Sequence, residues 1–544
     1  MKLTHLFACA VGVTVLGACT DERIVYQNRA FNPPLDTIAG FLGYFDASAD
    51  QTSCGNCHVV HQRDWKTTAH AGAWAGLLTA GSPPQAFCTG CHTVSGKGNA
   101  VVGNAGYNRV PDVAYHDVQC ESCHGPGFTH AETPDGSVAP LASIAVHTAD
   151  SLGTCGECHS GTHYPFAEEW EQSRHAEAQP AAISNYVASP TTSTCVSCHE
   201  GRFILKAWGV TANYLEKDDP VNATTALGIT CAVCHNPHSS RRATAGDTLQ
   251  LRYPVDSPDP AQNLCMKCHL NRTVPASGSS RGNTPHAPQG AVLLGEAGYV
   301  NGAYVDTTLL NASSVATHFS PTSNPRLCAG CHLFAFPTTD TAGTFNQVTG
   351  HLFRPIPCYG PNGLPTATIQ NCAFTPAARS FRACAASGCH STQDQAALVY
   401  SVQRRRLQDL VAELWVDVDG DRVIDAYPVD TGMLARIRLN TTDLNPSAAP
   451  ITAADGAEFN VRTFGEDPAG VFMYDNGDKS RGAHNPFYEE ALLRASIQEL
   501  TDLYGAQPWW TPPSPAVQEI LKGPMGVNGT VPFPRPAGQR TALR

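Results

Sequence analysis

Apolar residues recur at helical spacing most clearly in two stretches of the chain. "QDQAALVYSVQRRRLQDLVAELW" predicts a helix over 393–415, and "YEEALLRASIQELTDLY" predicts another over 488–504; neither contains Pro or Gly. Leu6 to Leu16 is a short apolar run behind Lys2, too short to span a bilayer as a mature helix. No later run in 19–544 is long enough either. From Pro508 the sequence turns Pro-rich, which predicts an extended tail over 508–544.

Most of the chain shows no such periodicity, and its composition says why. With 47 Gly, 40 Pro and only 8% aromatic residues, long regular elements are disfavoured through most of its length. The expected fold class is mostly irregular, with short α-helices wrapped around something other than a side-chain core, a more helical C-terminal part and little β. Twenty-two cysteines are the candidate organisers.

"LGAC" ends the N-terminal apolar run at Cys19 in the manner of a bacterial lipobox. The expectation is a signal peptide over 1–18, cleavage before Cys19 and a lipid on that cysteine. A plain secretory signal cut near Ala18 is the alternative. Thr20 rather than Asp follows, so the rule for inner-membrane retention is not met. Either route delivers the chain to an oxidising compartment. The formal charge of −12 argues against nucleic-acid binding, which needs clustered basic residues. The one basic cluster, Arg404-Arg405-Arg406, lies in the first predicted helix and reads as a solvated face or as partners for acidic cofactor groups.

C-x-x-C-H occurs eight times, starting at Cys54, Cys88, Cys120, Cys155, Cys195, Cys231, Cys265 and Cys328; these are motifs 1 to 8. A stretched ninth copy, "CAASGCH", runs from Cys384 to His390. Two cysteines three apart on one turn can add to both vinyl groups of a haem, and the adjacent His reaches the iron. A lone copy is compatible with zinc or a redox dithiol. Eight copies with His always in the same place are not, because zinc pairs do not need that His. The pattern predicts nine covalent haems c, held by Cys54/Cys57, Cys88/Cys91, Cys120/Cys123, Cys155/Cys158, Cys195/Cys198, Cys231/Cys234, Cys265/Cys268, Cys328/Cys331 and Cys384/Cys389. The proximal ligands are His58, His92, His124, His159, His199, His235, His269, His332 and His390. For the ninth copy a Cys384–Cys389 disulfide is the alternative.

Twelve further histidines follow the signal, enough for nine bis-histidine irons. Motif starts fall 34, 32, 35, 40, 36 and 34 residues apart, then 63 and 56, and the first six form a duplicated three-haem block over 54–130 and 155–238. "CGNCHVVHQRDWKTTAHA" aligns with "CGECHSGTHYPFAEEWEQSRHA", pairing Trp65 and His70 with Trp170 and His175. Five residues on, ring and imidazole share roughly adjacent helix faces, so each Trp either packs on a porphyrin or serves an ordinary core.

"THYPFAEEWEQSRHA", "CESCHGPG", "CHNPH" and "GAHNPFYEEALLRAS" resemble multihaem c cytochromes of the hydroxylamine oxidoreductase and octahaem nitrite reductase superfamily, which includes simpler electron carriers. The resemblance runs over roughly 54–500. It implies distal ligation by histidines remote in sequence: His70, His130, His163, His175, His238, His286, His318, His351 and His484, with His61, His116 and His147 in reserve. Two departures bear on function. Nitrite-reducing relatives carry Lys in the motif of the catalytic haem, whereas every motif here ends in His; and no tyrosine is identifiable as the haem crosslink of the hydroxylamine-oxidising branch.

Cys358 and Cys372, left over from the motifs, are candidates for a disulfide. "DVDGDRVID" places Asp417, Asp419, Asp421 and Asp425 at positions 1, 3, 5 and 9 of an EF-type loop, a candidate Ca2+ site, although Arg422 and Pro428 stand where Gly and Glu are usual. A solvated acidic turn is the alternative. The boundaries expected are a signal over 1–18, a linker over 19–50, a haem region over 51–270, an insertion with the last two haems over 271–392, a helical region over 393–507 and the tail.

The expected function is electron transfer by a nonahaem, bis-histidine cytochrome, lipid-anchored to an outer membrane and facing the periplasm or cell surface. Redox proteins or extracellular acceptors would be its partners, and self-assembly stays open. The alternative is a reductase or oxidase of a small nitrogen or sulfur compound at one five-coordinate haem.

Overall fold

The computed structural model describes residues 32–526 and 533–534, apart from 79–83, 147–154, 162, 192, 240–249, 279–280, 311–317, 320–323, 387–388, 446 and 448. The signal, Cys19, His147 and most of the end of the tail therefore lie outside the described residues.

Among the described residues the chain is mostly irregular, with short helices and three two-stranded antiparallel sheets. β1 (Tyr44–Asp46) pairs with β2 (Gln51–Thr52), β3 (Phe336–Thr339) with β4 (Phe345–Val348), and β5 (Cys358–Tyr359) with β6 (Pro365–Thr366). In β3–β4 Phe336 opposes Val348. Cys358 and Cys372 are disulfide-bonded, with a sequence separation of 14. Closing a loop of that size contributes roughly 3 kcal/mol on the chain-entropy account.

In the haem region the named elements that matter for the site are two: α1 (Val59–Trp65) and α2 (Phe166–Glu171), the equivalent helices of the two blocks. Side-chain cores here are small, such as Phe41, Val94, Ala105 and Tyr115.

The C-terminal part is built differently. α3 (Gln393–Leu414) and α6 (Pro486–Tyr504) are the two helices read from the pattern. The Thr392 side chain accepts from Gln395 N–H to start α3, and Asn485 accepts from Tyr488 N–H to start α6, whose first residue is Pro486. Between them lie α4 (Met433–Asn440) and α5 (Ala453–Phe464), the latter opened by a Thr452/Asp455 capping box. α7 (Pro515–Lys522) corrects the extended tail: Ser514 caps it, Pro515 sits where no backbone donor is needed, and Val517 and Leu521, four apart, are buried. Leu410, Leu414, Leu434, Ile437, Val461, Leu492 and Ile497 share one core with Ala291, Val292 and Val305 of the insertion. The insertion is thus partly core: Tyr488 donates to Ala297 O at 2.7 Å, and Asn460 Oδ1 accepts from Tyr299 N at 2.7 Å.

The basic cluster on α3 is not one solvated face. Arg404 pairs with Glu466 at 2.6 Å and Arg406 with Glu490 at 2.6 Å, both carboxylates buried. Only Arg405 lies on the wet side, paired along the helix with Asp409. Among the described residues no helix is long and apolar enough to cross a membrane.

Candidate haem-binding sites

Each motif folds as about one turn. In five-residue copies the His N–H donates to the first Cys carbonyl, at 2.9 Å in motifs 1 and 4, 2.8 Å in motif 6 and 3.0 Å in motif 7. In the stretched copy His390 N–H donates to Cys384 O at 3.1 Å, so the His again closes onto the first Cys carbonyl. None of the eighteen motif cysteines is disulfide-bonded, Cys384 and Cys389 included.

The thiols are not equally covered. Cys57, Cys155 and Cys389 are exposed, at odds with the covered crevice that a haem-attachment thiol suggests, while the other fifteen are half-buried. Exposure falls on copies that are not α-helical. Motifs 1 and 4 close as 3-10 turns, Cys54–Asn56 and Cys155–Glu157, and motif 9 is the stretched one. Cys57 ends the first of these turns, its N–H donating to Cys54 O at 3.2 Å.

Several motif imidazoles are anchored through Nδ1. Its partner is the carbonyl of Ala73 for His92, of Pro140 for His124 and of Phe353 for His332, each at 2.9 Å, and Gln289 Oε1 for His269 at 3.2 Å. That contact leaves Nε2 for a metal.

Eight of the nine favoured distal histidines stand opposite a motif histidine. The ring centres are 6.3 Å apart for His130 and His58, 6.0 Å for His238 and His124, and 6.2 Å for His70 and His159. They are 5.9 Å apart for His286 and His199, 6.4 Å for His351 and His235, and 6.2 Å for His175 and His269. The last two pairs are His484 with His332 at 6.0 Å and His318 with His390 at 6.3 Å. Two imidazoles bound to opposite sides of one metal through bonds of about 2.0 Å hold their centres about 6.3 Å apart. Thiol pairs on one turn, an anchored imidazole and a second imidazole at that separation fit haem c.

Three other histidines are placed elsewhere. His163 packs edge-on to Tyr164 at 4.4 Å and is not brought opposite a motif histidine. His116 stacks on Trp74 at 3.8 Å. His61 stands 6.3 Å from His58 and 5.0 Å from His238.

Burial decides the protonation of these rings. It pushes His175 down to about 3, and His70, His238, His286, His332 and His351 to about 4, so they stay neutral, the form that binds metal. His484 goes the other way. Burial opposes its charge, but the Asp478 carboxylate accepts from its Nδ1 at 2.6 Å and holds it up at about 9.

The motifs also neighbour one another in a fixed order. Thiols hydrogen-bond between Cys54 and Cys120, Cys91 and Cys158, Cys155 and Cys231, Cys198 and Cys268, and Cys265 and Cys328. Cys123 lies within electrostatic reach of Cys155, Cys234 of Cys265, and Cys331 of Cys384. The imidazoles repeat much of this map: His124 with His58, His159 with His235 and His92, His199 with His269, and His318 with His484. Motifs 1, 3, 4, 6, 7, 8 and 9 thus form a line, with motif 2 beside motif 4 and motif 5 beside motif 7.

In the EF-type loop, Asp417, Asp419 and Asp430 bring carboxylate oxygens together, as do Asp419, Asp421 and Asp425. Asp430, buried and accepting from Val418 and Asp425 N–H, was not legible because it falls two residues past the end of the loop template. Arg422, at the position that usually needs Gly, has φ 65° and ion-pairs with Asp475.

Repeated thiol-pair turns with anchored imidazoles define a c-type cytochrome, and the comparisons agree. Residues 53–125 match the family described as cytochrome c554 and c-prime, and residues 139–248 match outer membrane cytochrome MtrC/MtrF-like, domains II/IV. Each match overlies most of one three-haem block. The chain is a multihaem c-type cytochrome carrying covalent haem c. It is 26% identical over 239 residues to the C-type polyheme cytochrome OmcB of Geobacter sulfurreducens, in both strain DL-1 / KN400 and strain ATCC 51573 / DSM 12127 / PCA. That alignment covers 39% of this chain and 29% of the relative, so the chain spans under a third of the relative's length. No solved structure matches it.

Proposed function

We propose that the protein is a nonahaem electron conduit, anchored by a lipid on Cys19 to an outer membrane and exchanging electrons with redox proteins or extracellular acceptors. The outer-membrane description of the family matched over 139–248 supports the location. The single observation that carries the conduit reading is the unbroken line of neighbouring motifs from Cys54 to Cys389. Bound haem supplies reversible one-electron iron chemistry. The protein supplies attachment, facing imidazoles and a fixed order of sites. We read the likeness to the hydroxylamine oxidoreductase superfamily as a likeness to its electron carriers.

The distal assignments are part of this reading: the eight facing pairs, and His163 for the haem of His92. His286, which follows motif 7, faces His199 of motif 5. Shifted back by one three-motif block, His163, which follows motif 4, falls to motif 2. His130 is preferred to His61 for the haem of His58, since His61, three residues on and one turn away, shares the His58 side.

The fully oxidised protein is expected to carry nine haems per chain by pyridine haemochrome assay and to show only low-spin ferric signals by EPR. A high-spin share near one in nine that shifts on adding nitrite or hydroxylamine would replace the conduit with the enzyme reading. We also propose Ca2+ at Asp417, Asp419, Asp421 and Asp425, joined by Asp430, since five carboxylates suit a hard cation. Calcium should raise the melting temperature of the helical region, and Asp419→Asn should abolish the rise. An unchanged melting temperature in the parent protein discards the site.

A further inference from the structure

The two blocks share a hydrogen-bonded device whose role is not haem attachment. Trp65, at the end of α1, donates its indole N–H to Val118 O at 2.9 Å, while Val118 N–H donates to His70 O at 3.1 Å. In the second block Trp170 donates to Ile229 O at 2.8 Å, and Ile229 N–H donates to His175 O at 2.7 Å. Val118 and Ile229 each stand two residues before the first cysteine of the block's third motif, Cys120 and Cys231. The turn between Trp and His is copied too: Thr68 N–H donates to Trp65 O and Ser173 N–H to Trp170 O, both at 2.8 Å.

One residue thus binds the block's distal histidine through its N–H and the block's tryptophan through its C=O. The held histidine then points out of its own block. His70 follows motif 1 and faces His159 of motif 4; His175 follows motif 4 and faces His269 of motif 7. The step is three motifs in both cases. The clips therefore sit where the first block meets the second, with Cys123 within electrostatic reach of Cys155, and where the second meets motif 7, with Cys234 within reach of Cys265. The fit is close, because a Cβ on Gly228 would lie 2.4 Å from Ala176 O and 2.6 Å from His175 O.

We infer that Trp65 and Trp170 are positioning residues: each indole N–H fixes a histidine that ligates the haem three motifs on, and so sets the register of the first block on the second and of the second block on motif 7. The inference rests on the reading of His70 and His175 as distal ligands. It differs from a porphyrin-packing role, which would use the ring face and be indifferent to the N–H. Backbone carbonyls are strong acceptors, and a buried one left without its donor costs free energy, so the carbonyl of Val118 or Ile229 would move to find another partner. The imidazole tied to the same residue would move with it. A ligand ring that rotates changes the electronic state of its iron without detaching the haem.

The test compares EPR spectra of four full-length, haem-loaded variants. Trp65→Phe keeps the ring and removes only the donor; His70→Met marks which low-spin component belongs to that ligand. Trp65→Phe is expected to shift the component that His70→Met removes, one in nine, and to leave the other eight. Trp170→Phe and His175→Met are expected to do the same for a second component. An unshifted marked component in the Trp variants overturns the positioning role, as does a haem count below nine in both, since the indole is assigned no part in attachment. If His70→Met and His175→Met change no component, the ligand reading itself fails, which separates the two failures.

Discussion

His484→Ala is expected to leave nine haems attached and to convert one in nine from low-spin to high-spin, with carbon monoxide binding to that site after reduction. His484 lies 6.0 Å from His332, far from it in sequence, on the turn that leads into α6. Attachment depends on Cys328 and Cys331 and does not need it. Unchanged spin states would remove His484 from the ligand set. A second change at this place separates ligation from tuning. Where Nδ1 partners of the motif and distal histidines occur they are mostly backbone carbonyls, but His484 donates to the buried carboxylate of Asp478 at 2.6 Å. A charged acceptor makes the imidazole a stronger donor to iron and favours the oxidised state. Charged hydrogen bonds exceed neutral ones by about 1 kcal/mol, and for one electron 59 mV corresponds to a tenfold change, so Asp478→Asn should raise one midpoint potential by about 40 mV. Potentiometric titration followed by visible absorbance checks this. His286 gives the contrast, since its buried Nδ1 has no partner among the described residues.

Attachment chemistry was written openly in the sequence because it is local: Cys and His on one turn need no knowledge of the rest of the chain. How far each thiol is covered was not, since Cys54 and Cys57 share a motif but only Cys57 is exposed. The two long helices were legible because their periodicity and caps lie within their own residues. α5 was not, although its apolar stripe is sharper than that of either long helix: it is only 12 residues long with Gly456 inside it, and its burial comes from the insertion and α6. Which distal histidine faces which motif was equally hidden. His70 reaches motif 4 and His175 motif 7 through contacts that no spacing rule encodes. The pairing of Trp65 with His70 was visible as a repeat, but its use was not, because the indole bonds to a carbonyl beyond motif 2. The arginine cluster misled in the same way: Arg404 and Arg406 find buried carboxylates on other elements, and only the Arg405 contact stays within its helix.

Those carboxylates make the second large effect. Glu490, fully buried on α6, accepts from Arg406 at 2.6 Å and 3.2 Å, from Arg494 at 3.2 Å and from Gln403 at 3.1 Å. Arg494 is itself fully buried and also donates to Leu521 O and Gly523 O, which ties α7 to α6. Glu490→Gln preserves shape and removes the one charge facing two guanidiniums. Breaking a buried pair by removing one partner costs about 3–5 kcal/mol, because the remaining charge stays desolvated. The helical region of Glu490→Gln should therefore unfold at lower urea, read by circular dichroism at the helix band. Arg405→Ala, which breaks only the exposed pair with Asp409, should change stability by no more than about 0.5 kcal/mol. α6 begins two residues after His484, so loss of the helices should withdraw that ligand from motif 8. In Glu490→Gln the high-spin signal should rise over the same urea range in which helix is lost, while the haems of motifs 1 to 4 stay low-spin. Helix loss that leaves every haem low-spin would detach His484 from motif 8, and equal stability of Glu490→Gln and the parent would show that the paired arginines do not need the charge.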